Sequence, residues 1–267
     1  PQAFFLSTPT GQRFCIFHPA RAAPKGSVLY LHPFAEELNT TRRMVAQQAR
    51  AMAEAGFAVL QMDLLGCGDS SGEFSDASWS DWVDDALMAH QWLTQFTSGP
   101  SWLWGMRAGA LLATELLTRL TEPANLLLWQ PVASGQQMLQ QFIRLHTASQ
   151  WLGSDKPDGP SPTQLLAQGQ AVEIAGYSIR AELAKGLSEA VLRPFNVNDG
   201  RRLVWLEVSN QPEPTPSIST ERELAGWRDA GWQVHASAIE GPAFWQNVGA
   251  DNLPNLVSAT LAELTAG

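Results

Sequence analysis

Leu103-Trp104-Gly105-Met106-Arg107-Ala108-Gly109-Ala110 runs from an apolar strand, Ser101 to Trp104, straight into a helix at Ala108 to Leu120. That helix is apolar nearly all round, so it belongs in a core. Glycines stand two positions before and two after Arg107, as needed when a central side chain is raised on a tight, strained turn above a sheet. The spacing and context are those of a nucleophile elbow, G-x-S-x-G, with arginine in the serine slot. A generic strand–helix turn holding two glycines has the same local sequence, so the neighbouring elements decide between them.

Outward from that turn, the first twenty residues read as a hairpin, Ala3 to Ser7 and Arg13 to Phe17 about a turn at Thr10-Gly11. Strands then alternate with helices. Ser27 to Leu31 precedes a helix at Thr40 to Ala55, and Phe57 to Leu64 ends in the glycine-rich turn Gly66 to Gly72. A helix with Trp79, Trp82, Val83, Ala86, His90 and Leu93 on one face comes before the elbow strand, and Ala124 to Trp129 follows the elbow helix. The rhythm breaks between Ala133 and Asn198: Gln136 to Leu152 reads as helix, Ser154 to Pro162 as loop, Ser178 to Leu192 as helix. It resumes with a strand at Arg202 to Val208, a helix at Ser219 to Ala230, a strand at Trp232 to Ile239 and a helix at Leu253 to Leu264. Near-continuous apolar strands alternating with helices predict an α/β fold, a doubly wound, mostly parallel sheet behind an N-terminal antiparallel hairpin. The insertion after the sixth strand reads as a helical cap, residues 134–198, on a core of residues 1–133 and 199–267.

Composition narrows the function. The chain has 267 residues, 45% of them hydrophobic and 16% charged, which fits a packed core and not a disordered chain. A net charge of −9 with no basic run argues against nucleic acid as a partner. Two cysteines, Cys15 and Cys67, build no disulfide framework and point to a reducing compartment. With no signal-peptide pattern at the start and no membrane-length apolar run, the expected location is the cytoplasm.

The chain resembles the α/β-hydrolase superfamily over nearly its whole length. It looks most like the bacterial exosortase A system-associated hydrolase 2 group. Three segments carry the likeness: His32-Pro33-Phe34-Ala35-Glu36-Glu37-Leu38-Asn39, then Asp63-Leu64-Leu65-Gly66-Cys67-Gly68-Asp69-Ser70-Ser71-Gly72, then Gly105-Met106-Arg107-Ala108-Gly109. The resemblance implies a hydrolase encoded beside a protein-sorting and exopolysaccharide system. Serine hydrolysis in such a fold needs a nucleophile, a histidine base and a carboxylate that orients the base. The carboxylate follows the seventh strand and the histidine the eighth. Here the seventh strand is followed by Asn210, and the eighth by Gly241-Pro242-Ala243-Phe244-Trp245-Gln246-Asn247. His235 lies inside the eighth strand, so all three triad slots read as vacant. An arginine stays protonated near neutral pH and is no nucleophile.

Other roles follow for the residues around the elbow. Arg107 at a helix N-terminus makes an anion site, with the N–H groups of Phe34 and Ala108 as oxyanion-type donors. Glu36 and Glu37, expected on the loop above the strand end, either neutralise Arg107 and lock the loop or act as general base. His32 is expected to shape the oxyanion loop, and Asn210, Phe244 and Trp245 to form the pocket rim. His90 reads as a satisfied core residue, Cys67 as a plain loop cysteine, and Asn39-Thr40-Thr41 as helix-start chemistry. His146 and Trp151 lie in the cap. Gly66-Cys67-Gly68 lacks an immediate helix, so no dinucleotide is expected, and no metal-ligand spacing or other cofactor motif occurs. Three functions stay open. One is a non-standard hydrolase acting on an ester, thioester or glycan-linked acyl substrate through Glu36 or Glu37 with Arg107. Another is a non-catalytic protein that binds an anionic ligand or a partner through the Arg107 pocket. The third, an ordinary serine esterase, requires a different register at position 107.

Overall fold

Apolar residues alternate sides along the central strands, and the two sets become two cores. In β3 (Gly26–Leu31), Val28 and Tyr30 join one and Leu29 and Leu31 the other. A computed structural model describes residues 1–150, 159–246, 249 and 252–266. Its main sheet has the order β1-β2-β4-β3-β5-β6-β9-β10. The strands are β1 (Gln2–Thr8), β2 (Gly11–His18), β3, β4 (Phe57–Met62), β5 (Ser101–Met106), β6 (Ala124–Trp129), β9 (Arg202–Ser209) and β10 (Gln233–Glu240). β1 pairs antiparallel with β2 and β2 with β4, while every pair from β4 through to β10 is parallel. This is the mostly parallel sheet behind an antiparallel hairpin that the strand rhythm predicts, and it fits the α/β-hydrolase fold that the resemblance implies. One core packs α1 (Glu36–Glu54) and α8 (Pro254–Thr265) on the sheet; the other packs α2 (Trp79–Leu93), α3 (Ala108–Leu117) and α7 (Ile218–Asp229) on its opposite face.

Strand order reverses between β3 and β5. From β3 the chain moves through α1 to β4 on one side, and from β5 it moves through α3 to β6 on the other. α1 and α3 therefore lie on opposite faces, and a crevice opens between them at the carboxyl ends of the two strands. In open α/β sheets that crevice is where ligands bind.

Between β6 and β9 come α4 (Gly135–Gln150), α5 (Pro162–Ala167), a two-stranded hairpin of β7 (Val172–Ile174) and β8 (Tyr177–Ile179), and α6 (Ala181–Glu189). The hairpin and α5 depart from the expected loop-and-helix pattern. Ala175 and Gly176 both have positive φ, 53° and 82°, the backbone of a two-residue hairpin turn, and this diverts Ser178 and Ile179 from the expected helix into β8. Ser161 caps α5 and Pro162 occupies its first turn. The side chain of His146, Trp151, Asn247 and most of the expected loop, residues 154–158, lie outside the described residues.

α1 begins at Glu36 instead of Thr40. Ala35, at φ 53° and ψ −127°, turns the four-residue segment after β3 into the helix, and two glutamates in the first turn suit its positive end. Glu36 and Glu37 are thus helical and not on a loop. Asn39-Thr40-Thr41 falls inside the helix, where the hydroxyls of Thr40 and Thr41 donate to the Glu37 carbonyl at 3.0 and 2.7 Å.

Candidate functional site

Arg107 is the single residue between β5 and α3, held at φ 55° and ψ −117°. For a residue with a Cβ, a sparsely populated backbone of this kind costs about 1–3 kcal/mol. The flanking glycines make the turn possible by close approach. A Cβ on Gly105 would lie 2.6 Å from Ala110 Cα, and one on Gly109 only 2.0 Å from the Leu31 carbonyl oxygen. Because Leu31 pairs with Gly105, the ends of β3 and β5 lie side by side, and the N-termini of α1 and α3 rise together. Both helices are entered through the same unusual backbone, Ala35 matching Arg107 within about 10° in φ and ψ.

That juxtaposition brings Glu37 to Arg107. The guanidinium Nε donates to both carboxylate oxygens, at 3.2 and 3.4 Å, and the side chains are 11% and 13% exposed. The Arg107 guanidinium carbon also lies 5.4 Å from the centroid of the Trp245 ring, a cation–π contact. Burial pushes the Glu37 carboxyl up to about 7; Arg107 pulls it down, and Glu36 adds to the rise. No acceptor among the described residues takes the terminal Nη atoms of Arg107, nor are they sealed from solvent. Arg107 lines a cavity of about 490 Å³ together with Phe34, Glu36, Glu37, Thr40, Met138, Gln141, Phe142, Trp245 and Gln246. That volume is within the range of small-molecule sites.

The expected site residues divide. Arg107, Glu36, Glu37, Phe34 and Trp245 meet at the cavity. Ala108 does not line it, although its N–H, in the first turn of α3, has no acceptor inside the helix. Phe244 is buried behind Trp245, edge-on to Trp129, and Asn210 is exposed in the turn after β9, so of the three expected rim residues only Trp245 reaches the cavity. His32 is buried and lines a separate cavity of about 160 Å³. Its Nδ1 lies 2.8 Å from the Pro33 carbonyl, to which it donates, and its Nε2 accepts from Leu64 N–H at 3.4 Å. Burial holds it below the usual histidine range, hence neutral. His32 thus bridges the segment after β3 to the one after β4. His235 sits in β10 with Nδ1 3.5 Å from Glu263 of α8, and His90 bonds the Ser101 hydroxyl at 2.9 Å. Among the described residues no histidine lines the Arg107 cavity. Cys67 is buried and its thiol is pushed up by burial, away from the reactive range.

Several contributors gave no sequence signal. Met138, Gln141 and Phe142 come from α4, and only the folded insertion brings them over the elbow. Thr40 donates to the Trp245 backbone carbonyl at 2.8 Å and ties α1 to the segment that carries this indole. A second groove, about 590 Å³, opens between α4, α5 and α6, and every residue lining it belongs to the insertion. Among the described residues no cluster has the composition of a metal site, and no helix is long and apolar enough to cross a membrane.

Known proteins place these features. Est1E from Butyrivibrio proteoclasticus, solved with ferulic acid, superposes with a TM-score of 0.68 at 14% identity, over 99% of this chain and 98% of that one. A thermostable carboxyl esterase from Bacillus coagulans gives 0.65 at 12% identity, over 99% and 98%. An alpha-beta serine hydrolase homologue from Coxiella burnetii gives 0.58 at 14%, over 99% and 97%. At such identities these establish the fold. Human Protein ABHD12B is 30% identical over 114 residues, which is 42% of this chain and only 30% of that relative's length. The family described as serine aminopeptidase, S33, matches residues 22–170, more than half of the chain. The chain belongs to the serine aminopeptidase S33 family, within the α/β-hydrolase superfamily.

Proposed function

We propose that this protein is a ligand-binding member of its family, in which the cavity over Arg107 takes an anionic small molecule and no acyl-serine intermediate forms. The observation that carries the reading is the guanidinium itself. It stands at the tip of the elbow, tied to Glu37 through Nε, and lines a ligand-sized cavity. Phe34 brings its N–H to the same cavity, and the inserted segment, residues 134–198, serves as a lid that contributes Met138, Gln141 and Phe142. The test is a fluorophosphonate label together with a broad ester panel. Neither labelling nor serine-type turnover is expected, whereas saturable binding of an anionic probe is expected and is lost in Arg107→Ala. Labelling of the unaltered chain would restore an ordinary serine esterase and end this reading.

A second reading rests on Glu37, whose carboxyl titrates near the pH at which a general base works best. In a non-standard hydrolase it would take a proton from water attacking an ester, thioester or glycan-linked acyl carbonyl, while Arg107 holds the developing oxyanion. Glu36 lines the same cavity and is the alternative base. Turnover that resists fluorophosphonate and falls by orders of magnitude in Glu37→Gln would select it. The likeness to the exosortase A system-associated group supports a place for either activity in a bacterial cytoplasm, beside a sorting and exopolysaccharide system. Fractionation of the source cells tests that location.

A further inference from the structure

We propose that the ligand of the Arg107 cavity is a monocarboxylic acid with a compact apolar body, and that Glu37 takes up a proton when it binds. The inference rests on the anion-binding reading above and narrows it to one chemical class. Hydrogen bonding sets the head group. Glu37 occupies Nε of Arg107, and the terminal nitrogens have no acceptor among the described residues, so they are the donors left for a ligand's acceptors. A carboxylate suits the planar guanidinium edge, and the N-termini of α1 and α3 add partial positive charge. The walls set the body, since Phe34, Met138, Phe142 and Trp245 present apolar and aromatic surface to the same space.

Charge then limits the class. Glu37 is faced by Arg107 at the start of α3, by Glu36 on its own helix, and by the Tyr30 hydroxyl on β3. Gln141 of α4 and Gln246 beyond β10 line the cavity and are uncharged. A bound carboxylate beside an ionised Glu37 would set a second negative charge on the guanidinium that Glu37 already shares. Discharging Glu37 relieves this, and its titration near neutrality makes it the group to accept a solvent proton. A phosphate dianion would bring one charge more, and an amine would meet Arg107 itself.

The test is calorimetric titration of the full chain with 3-phenylpropanoate at pH 6, 7 and 8, in two buffers of different ionisation heat. With Glu37 titrating at about 7, affinity should fall about tenfold from pH 6 to pH 8, with about half a proton taken up per ligand at pH 7. Glu37→Gln should bind with that slope flattened. Arg107→Gln, shown folded by circular dichroism, should bind at least about tenfold more weakly. The methyl ester of the same acid, offered to the unaltered chain, should lose affinity to a similar degree. Equal affinity for acid and ester, no pH slope, or undiminished binding by folded Arg107→Gln would each overturn the proposal. Inorganic phosphate separates the two levels. If phosphate binds through Arg107 and the acid does not, the anion cavity stands and the carboxylic-acid assignment falls. If neither binds, both readings fall.

Discussion

Replacing Glu37 by glutamine tests whether burial or the Arg107 charge governs this pair. A carboxyl that titrates at 4.5 in the unfolded chain and at about 7 in the folded one costs the native state stability once it ionises. At about 1.4 kcal/mol per tenfold, the full difference is roughly 3 kcal/mol, present below pH 4.5 and lost as pH rises through 7. About 2.5 kcal/mol of it falls between pH 5 and pH 8. At 13% exposure the side chain is too enclosed for solvent to screen this away. Glutamine keeps the shape and cannot ionise, and every other titrating group is common to both chains and cancels. Urea unfolding of both proteins at half-unit steps from pH 5 to pH 8 should therefore show Glu37→Gln gaining about 2.5 kcal/mol on the native chain. Parallel pH profiles would refute the reasoning. A native chain that gains on the variant as pH rises would show that Arg107 attraction outweighs burial, inverting the electrostatics of the site.

Arg107→Ser puts a serine at the elbow where, among the described residues, no histidine lines the cavity, so it should gain neither fluorophosphonate labelling nor p-nitrophenyl ester turnover above the native chain. Gly109→Ala places a Cβ 2.0 Å from the Leu31 carbonyl, and urea unfolding should show a loss of about 3 kcal/mol or more. Asp85→Ala strands Arg13, fully buried with its Nε 2.7 Å from Asp85 Oδ2, and should cost about 3–5 kcal/mol by the same measurement. Thr40→Val removes the bond to the Trp245 carbonyl and should cost about 1 kcal/mol, with a shift in tryptophan fluorescence as the indole loses its position.

The elbow was legible because its requirements are local: two close backbone approaches, at Gly105 and Gly109, admit only glycine and declare themselves in the sequence. The central strands were legible for a similar reason, since buried parallel strands write uninterrupted apolar runs. The start of α1 was not. Thr40 and Thr41 look like helix-start residues, and nothing in the sequence assigns a positive φ to Ala35. That four-residue error moved Glu36 and Glu37 onto a loop, yet their proximity to Arg107 survived, because the strand order fixes it whichever way the segment is coiled. The α4 wall of the cavity and the Arg13–Asp85 pair, 72 residues apart, come from tertiary packing, on which hydrophobic periodicity is silent.

The strain at position 107 bears on whether the site is a relic. With no nucleophile to raise above the sheet, glycine there would relieve a backbone cost of about 1–3 kcal/mol and free the chain from burying a guanidinium. Instead a long cation is held at φ 55°, 11% exposed, against a carboxylate that burial makes reluctant to ionise and an indole face whose segment Thr40 ties to α1. Glu37 engages Nε, and Arg107 lines the cavity. The turn that strains the backbone at position 107 is thus also what sets the guanidinium against Glu37 at the edge of the cavity.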